Sequence, residues 1–182
     1  MLIQSDVSDV NVNEVALVDG KLRLLSLYDD IGASGRARSV VCAISRLAGP
    51  NWQITSEMWK IDTIQVSEPI RQMITNDAEN ADVIIIVSAS LTFALMQWLD
   101  TIDARNRPVT GLIVGLIGDD ETTMMELSRM VEPLIHSAQK MGCDFIWHWM
   151  GEGARIDSDW LNGGVEKLLD RKLAASNEMV FC

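Results

Sequence analysis

The sequence predicts one α/β domain, a doubly wound three-layer αβα sandwich around a five-stranded parallel sheet. Residues 82–90 and 109–120 are apolar runs rich in β-branched side chains. They show no polar alternation, which is typical of strands buried on both faces. Residues 91–105, between them, have helical spacing and end at Asn-Arg-Pro. A strand, a helix and a strand form a βαβ unit, so the sheet is predicted to be parallel.

Two strands and a helix are predicted first along the chain. The first strand covers residues 21–30, and a glycine-containing loop follows at 31–35, with Ser34 as a candidate N-cap. A helix over 36–48 carries apolar residues at helical spacing and is stopped by a Gly-Pro pair. Residues 52–61 alternate between apolar and polar, which favours a strand near an edge of the sheet.

The remaining elements continue the same alternation. The second helix begins at Glu68-Pro69, where proline in the first turn loses no hydrogen bond. A long amphipathic helix covers 121–141, and 143–150 form the fifth strand. The last helix runs to about Ala175 and is expected to break at Gly163-Gly164. Right-handed crossovers between five such strands favour the order 2-1-3-4-5, with a switch point between strands one and three.

Length and composition indicate an ordinary globular chain. It has 182 residues, of which 48% are hydrophobic and 23% charged, so one domain of usual size is predicted. Residues 1–20 form a lead-in, 21–150 the five-stranded core, and 151–182 a loop, a helix and a tail.

The charge balance excludes whole classes of partner. Lys and Arg number 15 against 26 Asp and Glu, a net charge of −11. Such a chain repels phosphate backbones and anionic lipid, so neither nucleic acid nor membrane is an expected partner. We see no signal peptide or membrane-spanning run, and the three cysteines lack a disulfide or zinc spacing. A cytoplasmic location is therefore expected.

Ligands of doubly wound sheets bind at the carboxyl ends of the strands beside the switch point. Asp29 and Asp30 end the first predicted strand, and a pair of carboxylates there would suit Mg²⁺. The competing interpretation, slightly favoured, is that they cap a helix or form a turn. For Asp119-Asp120, which directly precede a long helix, the capping interpretation is preferred.

Hydroxyls and glycines at the same edge are the candidates for holding a cofactor. Ser34 and Gly35 follow strand one, and Ser88 and Ser90 end strand three. The loop matches neither phosphate-binding glycine fingerprint, and two acids before it would repel an anion, so a capped turn is preferred. Periodicity alone does not decide whether Ser88 and Ser90 face the crevice.

His148 and the tryptophans allow two interpretations each. A lone histidine between two tryptophans in a strand is more often packed than catalytic, and no Gly-x-Ser-x-Gly elbow supports a triad. Four tryptophans lie on the two outer strands: Trp52, Trp59, Trp147 and Trp149. They could form a partner surface, since exposed aromatics anchor interfaces, although core packing is more frequent.

The pattern of residues 21–150 resembles the receiver domain of two-component response regulators, a flavodoxin-like fold. Asp29-Asp30 look like the receiver's Mg²⁺-binding acidic pair. The acceptor aspartate expected at the end of strand three is replaced by Val87, Ser88 and Ala89. Gly118 stands where a hydroxyl residue is expected, and strand five lacks the expected lysine. The resemblance therefore implies a pseudo-receiver without phosphorylation.

A second resemblance is to flavodoxin and related flavin-dependent reductases. That family uses a Ser/Thr-rich phosphate loop and aromatic residues that stack on FMN. Ser34 and Ser39 are the candidates for the loop, and Phe93 is the candidate aromatic.

The sequence thus predicts a non-catalytic interaction or signalling module that binds a protein partner or a second copy of itself. No cofactor is predicted. The alternative is a flavin- or Mg²⁺-dependent enzyme of small molecules, with its site at the ends of strands one and three and with FMN or Mg²⁺ bound there.

Overall fold

The computed structural model describes residues 20–102, 111–151 and 159–178, and within them it confirms the predicted sandwich. Strands and helices alternate along the chain. The elements are β1 (Gly20–Tyr28), α1 (Ile31–Ala48), β2 (Trp52–Lys60), a short 3₁₀ helix (Ile61–Gln65), α2 (Glu68–Asn80), β3 (Val83–Ser88), α3 (Phe93–Thr101), β4 (Gly111–Ile117), α4 (Met124–Lys140), β5 (Cys143–Trp149) and α5 (Asp159–Glu178).

The sheet has the predicted order, β2-β1-β3-β4-β5, and all its pairs are parallel. At the switch point, β1 pairs with β3 in a register that sets Tyr28 opposite Val87. Consequently Asp29, which follows β1, lies beside Ser88, the last residue of β3. The carboxyl ends of all five strands lie at one edge, and the amino ends of the helices that follow lie there too.

Two apolar layers enclose the sheet. Every residue of β3 is buried, as its unbroken apolar run predicts. Alternate residues of the central strands point to opposite faces: Ile84 and Ile86 pack with α2, α3 and α4, and Ile85 and Val87 pack with α1 and α5. Trp98 of α3 is buried against the sheet.

One buried ion pair fastens α5 to the amino end of the sheet. Asp82, which is 2% exposed, precedes β3. Its Oδ2 accepts a hydrogen bond from the Arg23 backbone N–H at 2.9 Å, and its Oδ1 lies 2.5 Å from Lys172 Nζ. A buried carboxylate needs such partners to offset its desolvation. Asp82 therefore joins β1, β3 and α5 at one point.

Two local predictions were wrong. Residues 31–35 are not a loop: α1 begins at Ile31, because the Asp30 side chain caps it. The last helix does not break at Gly163-Gly164. α5 is continuous there because Gly164 packs directly under Ile146 and Leu112, and the close approach of helix and sheet holds the backbone helical.

Some predictions lie outside the described residues. They concern almost all of the lead-in at 1–20, the Asn-Arg-Pro break at 106–108 and the last residues of the tail. Within the described part of the chain, no helix combines the length and apolar character needed to cross a membrane.

Candidate functional site

The candidate site is the edge of the sheet where the strands end, which we call the carboxyl-end face. We define it by the four described strand-to-helix connections, residues 29–30, 61–67, 89–92 and 118–123, with the first turns of the helices that follow and Trp149. The connection between β5 and α5 lies outside the described residues.

At the switch point, β1 and β3 are tied together by one carboxylate. Asp29 Oδ2 accepts a hydrogen bond from the Ala89 backbone N–H at 2.8 Å and lies 3.0 Å from the Ser88 hydroxyl. The same hydroxyl lies 2.6 Å from the Ser90 carbonyl oxygen. Ser88 is fully buried, so its one proton is shared between these two acceptors. The Ser88 side chain is thus directed to Asp29 and Ser90, whereas Ser90 enters this network through its backbone carbonyl.

The Asp30 carboxylate does not join the two strands but caps the helix that follows β1. Its Oδ1 accepts a hydrogen bond from the Ala33 backbone N–H at 2.7 Å, which makes it the N-cap of α1. Ser34 is not the cap. It lies inside the first turn, where its hydroxyl donates to the Ile31 carbonyl at 2.7 Å. Gly35 follows, exposed, in the same helix.

The predicted metal pair, Asp29 and Asp30, therefore sends its two carboxylates to different partners, β3 and α1. Among the described residues, no group of three or more His, Cys, Asp or Glu side chains is arranged to hold a metal ion. Binding of Mg²⁺ by these two aspartates stays a prediction.

The residues after β1 do not fit the phosphate of FMN. The connection from β1 to α1 contains two residues, both acids, so there is no loop to wrap an anion. The amino-terminal amides of α1, which would attract a phosphate, already face the Asp30 carboxylate. Ser34 and Gly35, the candidate phosphate ligands, are part of the helix itself.

The connection between β4 and α4 is held by its own polar side chains. Asp119 Oδ1 accepts hydrogen bonds from the Thr122 hydroxyl at 2.7 Å and the Glu121 N–H at 3.0 Å. The Thr122 hydroxyl is the main reason that the pKa of Asp119 is lowered. Thr123 and Glu126 then form a capping box at the start of α4, and the Thr123 hydroxyl lowers the pKa of Glu126. Both carboxylates are therefore ionised at neutral pH.

Trp149 links this connection to the end of β5. Its indole Nε1–H donates to the Asp119 carbonyl at 3.0 Å. The ring lies on the backbone of Gly151, where an added Cβ would stand 1.9 Å from Cζ2. Earlier in β5, His148 stacks on Trp160 of α5 with ring centroids 5.3 Å apart. Trp149 thus belongs to the carboxyl-end face, and His148 packs under α5.

Large apolar side chains are exposed mainly on this face. Of ten such exposed residues in the described chain, six lie here. They are Ile31, Val66, Phe93, Met124, Met125 and Trp149, and four of them are two-thirds or more exposed: Ile31 (90%), Phe93 (77%), Met124 (74%) and Val66 (67%). Scattered apolar residues are normal on a protein surface, whereas contiguous exposed apolar patches are typical of interaction sites.

The charge on the same face is negative. The four connections contain six carboxylates and no lysine or arginine. The acids are Asp29, Asp30, Asp62, Asp119, Asp120 and Glu121. The nearest cation in sequence, Lys60 at the end of β2, pairs with Asp62 at 2.8 Å, and this hydrogen bond raises its pKa. The face therefore combines exposed apolar groups with a negative potential.

A groove of about 450 Å³ opens on this face between the β3–α3 and β4–α4 connections. Ala89, Ser90 and Leu91 line one side. The other side is formed by residues of the second connection and of α4: Asp119, Glu121, Thr122, Glu126, Arg129 and Met130.

The strand order and the switch point between β1 and β3 define a flavodoxin-like α/β domain. No family model matches the chain, and no curated protein matches it. Solved structures similar to it include three with the following names. A short-chain flavodoxin associated with a non-canonical PDU bacterial microcompartment has 13% identity over 83% of this chain and 97% of its own, with a TM-score of 0.49.

The second is a flavodoxin-like domain from a Synechococcus sp. protein, with 16% identity over 81% of this chain and 93% of its own and a TM-score of 0.44. The third is the Trp repressor binding protein from Bacillus subtilis, with 11% identity, coverage of 80% and 96%, and a TM-score of 0.38. The assignment to the flavodoxin-like fold rests on the strand order of this chain. The described residues offer no feature specific to a receiver.

Sequence reasoning missed part of this face. The helix predicted over 121–141 begins only at Met124, which is exposed in the first turn of α4. The sequence did contain the signal: Thr123 followed three residues later by Glu126 is a capping box, which starts the helix at Met124.

Of the four tryptophans on the outer strands, Trp52 and Trp59 pack partly buried against the core, and Trp147 and Trp149 are more exposed.

Proposed function

We propose that this chain is an interaction module that binds another protein through its carboxyl-end face and catalyses no reaction itself. The observation that carries the proposal is the concentration of exposed apolar side chains on this face. Burying one such side chain against a partner contributes about 1.5–3 kcal/mol, so a few of them suffice for a specific contact.

The polar groups of the face support the same proposal. Asp29, Asp30 and Asp119 each accept hydrogen bonds from the chain's own backbone or hydroxyls. Their carboxylate oxygens hold the strand-to-helix connections in place. They bond to different parts of the chain and do not converge on one ligand position. In the proposal, the module works like a receiver whose acceptor position is filled by the buried Ser88.

Site-specific photo-crosslinking tests the proposal. Benzoylphenylalanine is placed at Phe93 or Ile31 in the full chain, and the protein is irradiated in the cells that naturally produce it. Met73 on α2 and Leu173 on α5 serve as matched controls, because both are exposed apolar positions on helices away from the face. Adducts are identified by mass spectrometry.

We expect a discrete protein adduct from Phe93 and Ile31 that the two control positions do not form. The proposal is wrong if neither face position forms an adduct, or if the controls form the same adducts in equal amount.

A further inference from the structure

We infer that the groove between α3 and α4 binds a protein segment in which an apolar side chain is flanked by lysine or arginine. This inference rests on the proposed function and specifies the partner's chemistry at one part of the face. Three observations carry it: the volume of the groove, the apolar residues that line it or neighbour its lining residues in the sequence, and the charge of its lining.

The groove has the volume of a ligand-binding site, and part of its lining is apolar. Its volume of about 450 Å³ falls in the range of ligand pockets, roughly 300–1,000 Å³. Leu91 and Met130 contribute apolar lining. Phe93 follows Leu91 by two residues, and Met124 and Met125 stand between the lining residues Thr122 and Glu126. Exposed apolar residues thus neighbour the lining residues in the sequence on both sides of the groove.

The charged residues decide which apolar segment fits. Three carboxylates, those of Asp119, Glu121 and Glu126, line the groove against one guanidinium, that of Arg129. Hydrogen bonds within the connection keep Asp119 and Glu126 ionised. Cationic side chains on either side of the apolar anchor would meet this potential favourably, whereas carboxylates or phosphates would be repelled.

The same argument disfavours the chain itself as the occupant. A second copy carries a net charge of −11. Residues 1–19 contain four acids and no lysine or arginine. Both would bring negative charge to a negative groove, so a separate basic and apolar partner segment is the occupant we assign.

NMR titration of the isotope-labelled full-length protein tests this assignment with three short synthetic peptides. One contains leucine and lysine, the second leucine and glutamate, and the third serine and lysine. Backbone amide shifts report both binding and its location. We expect the leucine–lysine peptide to shift amides of residues 89–92 and 118–126, and the other two to leave them in place.

Single substitutions separate the contribution of apolar side chains to peptide binding from the contribution of charged side chains. Glu121→Lys should weaken binding of the leucine–lysine peptide roughly tenfold, with Glu132→Lys, exposed further along α4, as its control. Met124→Ser should weaken it as well, with Met73→Ser on α2 as its control. These positions are exposed, so the fold is retained and the amide spectrum verifies it.

The inference is overturned if the leucine–lysine peptide does not bind, if it binds elsewhere, or if either other peptide shifts the same amides equally. These outcomes differ from failure of the proposed function. Crosslinks from Ile31 together with an inert groove would remove this inference alone. Absence of adducts at every face position would remove the proposed function as well.

Discussion

The carboxylate of Asp29 at the end of β1 accepts a hydrogen bond from the buried hydroxyl of Ser88 at the end of β3, 3.0 Å away. This contact joins β1 and β3 at the switch point of the sheet, the place where doubly wound folds bind their ligands. The Asp29 carboxylate and the Ser88 hydroxyl are thus engaged by a bond internal to the fold.

Removing the Ser88 hydroxyl should therefore cost stability. Ser88→Ala deprives Asp29 and the Ser90 carbonyl of a buried donor, and we expect the free energy of unfolding to fall by about 1–3 kcal/mol. Urea denaturation followed by circular dichroism measures the change. Ser39→Ala is the control, because its hydroxyl bonds to the Gly35 carbonyl on the exposed side of α1. Equal stability of the two variants would contradict the role given to Ser88.

Two variants of Asp30 distinguish a helix-capping role of its carboxylate from a role in metal binding. Asp30→Ala removes the N-cap of α1 and should lower stability by about 1 kcal/mol, whereas Asp30→Asn keeps an accepting oxygen and should stay close to the native chain. If Asp30 acts as the cap alone, Mg²⁺ shifts the melting temperature of neither the native chain nor Asp30→Asn. A rise with Mg²⁺ that Asp30→Asn abolishes would instead support the predicted metal pair.

The ion pairs of Asp144 should make a small contribution that depends on pH. Partial burial opposes ionisation of this carboxyl, but the hydrogen bond from Lys167 and the charge of Arg171 outweigh it, and its pKa is lowered. A carboxyl with a lowered folded pKa stabilises above its unfolded pKa, about 3.9, and this contribution is lost as pH falls through the folded value.

We therefore expect Asp144→Asn to lose up to about 1 kcal/mol at neutral pH, with the difference from the native chain vanishing in acid. Urea denaturation at a series of pH values checks this. Asp100→Asn is the control, because its pair with Lys140 is longer, 3.6 Å against 2.8 Å, and more exposed. A difference that grows in acid would show that the sign is wrong.

The two adjacent glycines of α5 should respond differently to alanine. Gly163 has no atom within 4 Å of an added Cβ, so Gly163→Ala should gain about 0.5–1 kcal/mol from helix propensity. At Gly164 the new Cβ would lie 3.0 Å from Ile146 Cδ1, and crowding offsets that gain. Thermal melting of both variants tests this. Similar gains at both positions would contradict the close packing of Gly164.

The elements that were predicted well are those in which one physical requirement dominates. β3 is buried on both faces, and only an unbroken apolar run satisfies that condition, so its sequence sufficed. The pattern of β2 likewise placed it at the edge. The start of α1 was wrong because two glycines resemble a loop when read locally, whereas the Asp30 cap allows the helix to begin five residues earlier than expected.

The contacts among the candidate site residues follow only in part from the sequence. That Asp29 and Ser88 lie side by side follows from the parallel register of β1 and β3. The sheet face to which the Ser88 side chain points would be reversed by a shift of one residue, and the sequence does not fix that choice. The bond from Trp149 to the Asp119 carbonyl joins residues thirty positions apart through a side chain and a backbone atom. No local pattern encodes such a pair.

The ion pair between Lys172 and Asp82 has a consequence for synthesis on the ribosome. α5 is the last described element to be made, and it supplies Leu161, Val165 and Leu168 to the layer that it shares with α1. Until it emerges, that side of β4 stays uncovered and Asp82 lacks its cation. A nascent chain that pauses before α5 therefore presents an apolar sheet surface to chaperones and to other nascent chains.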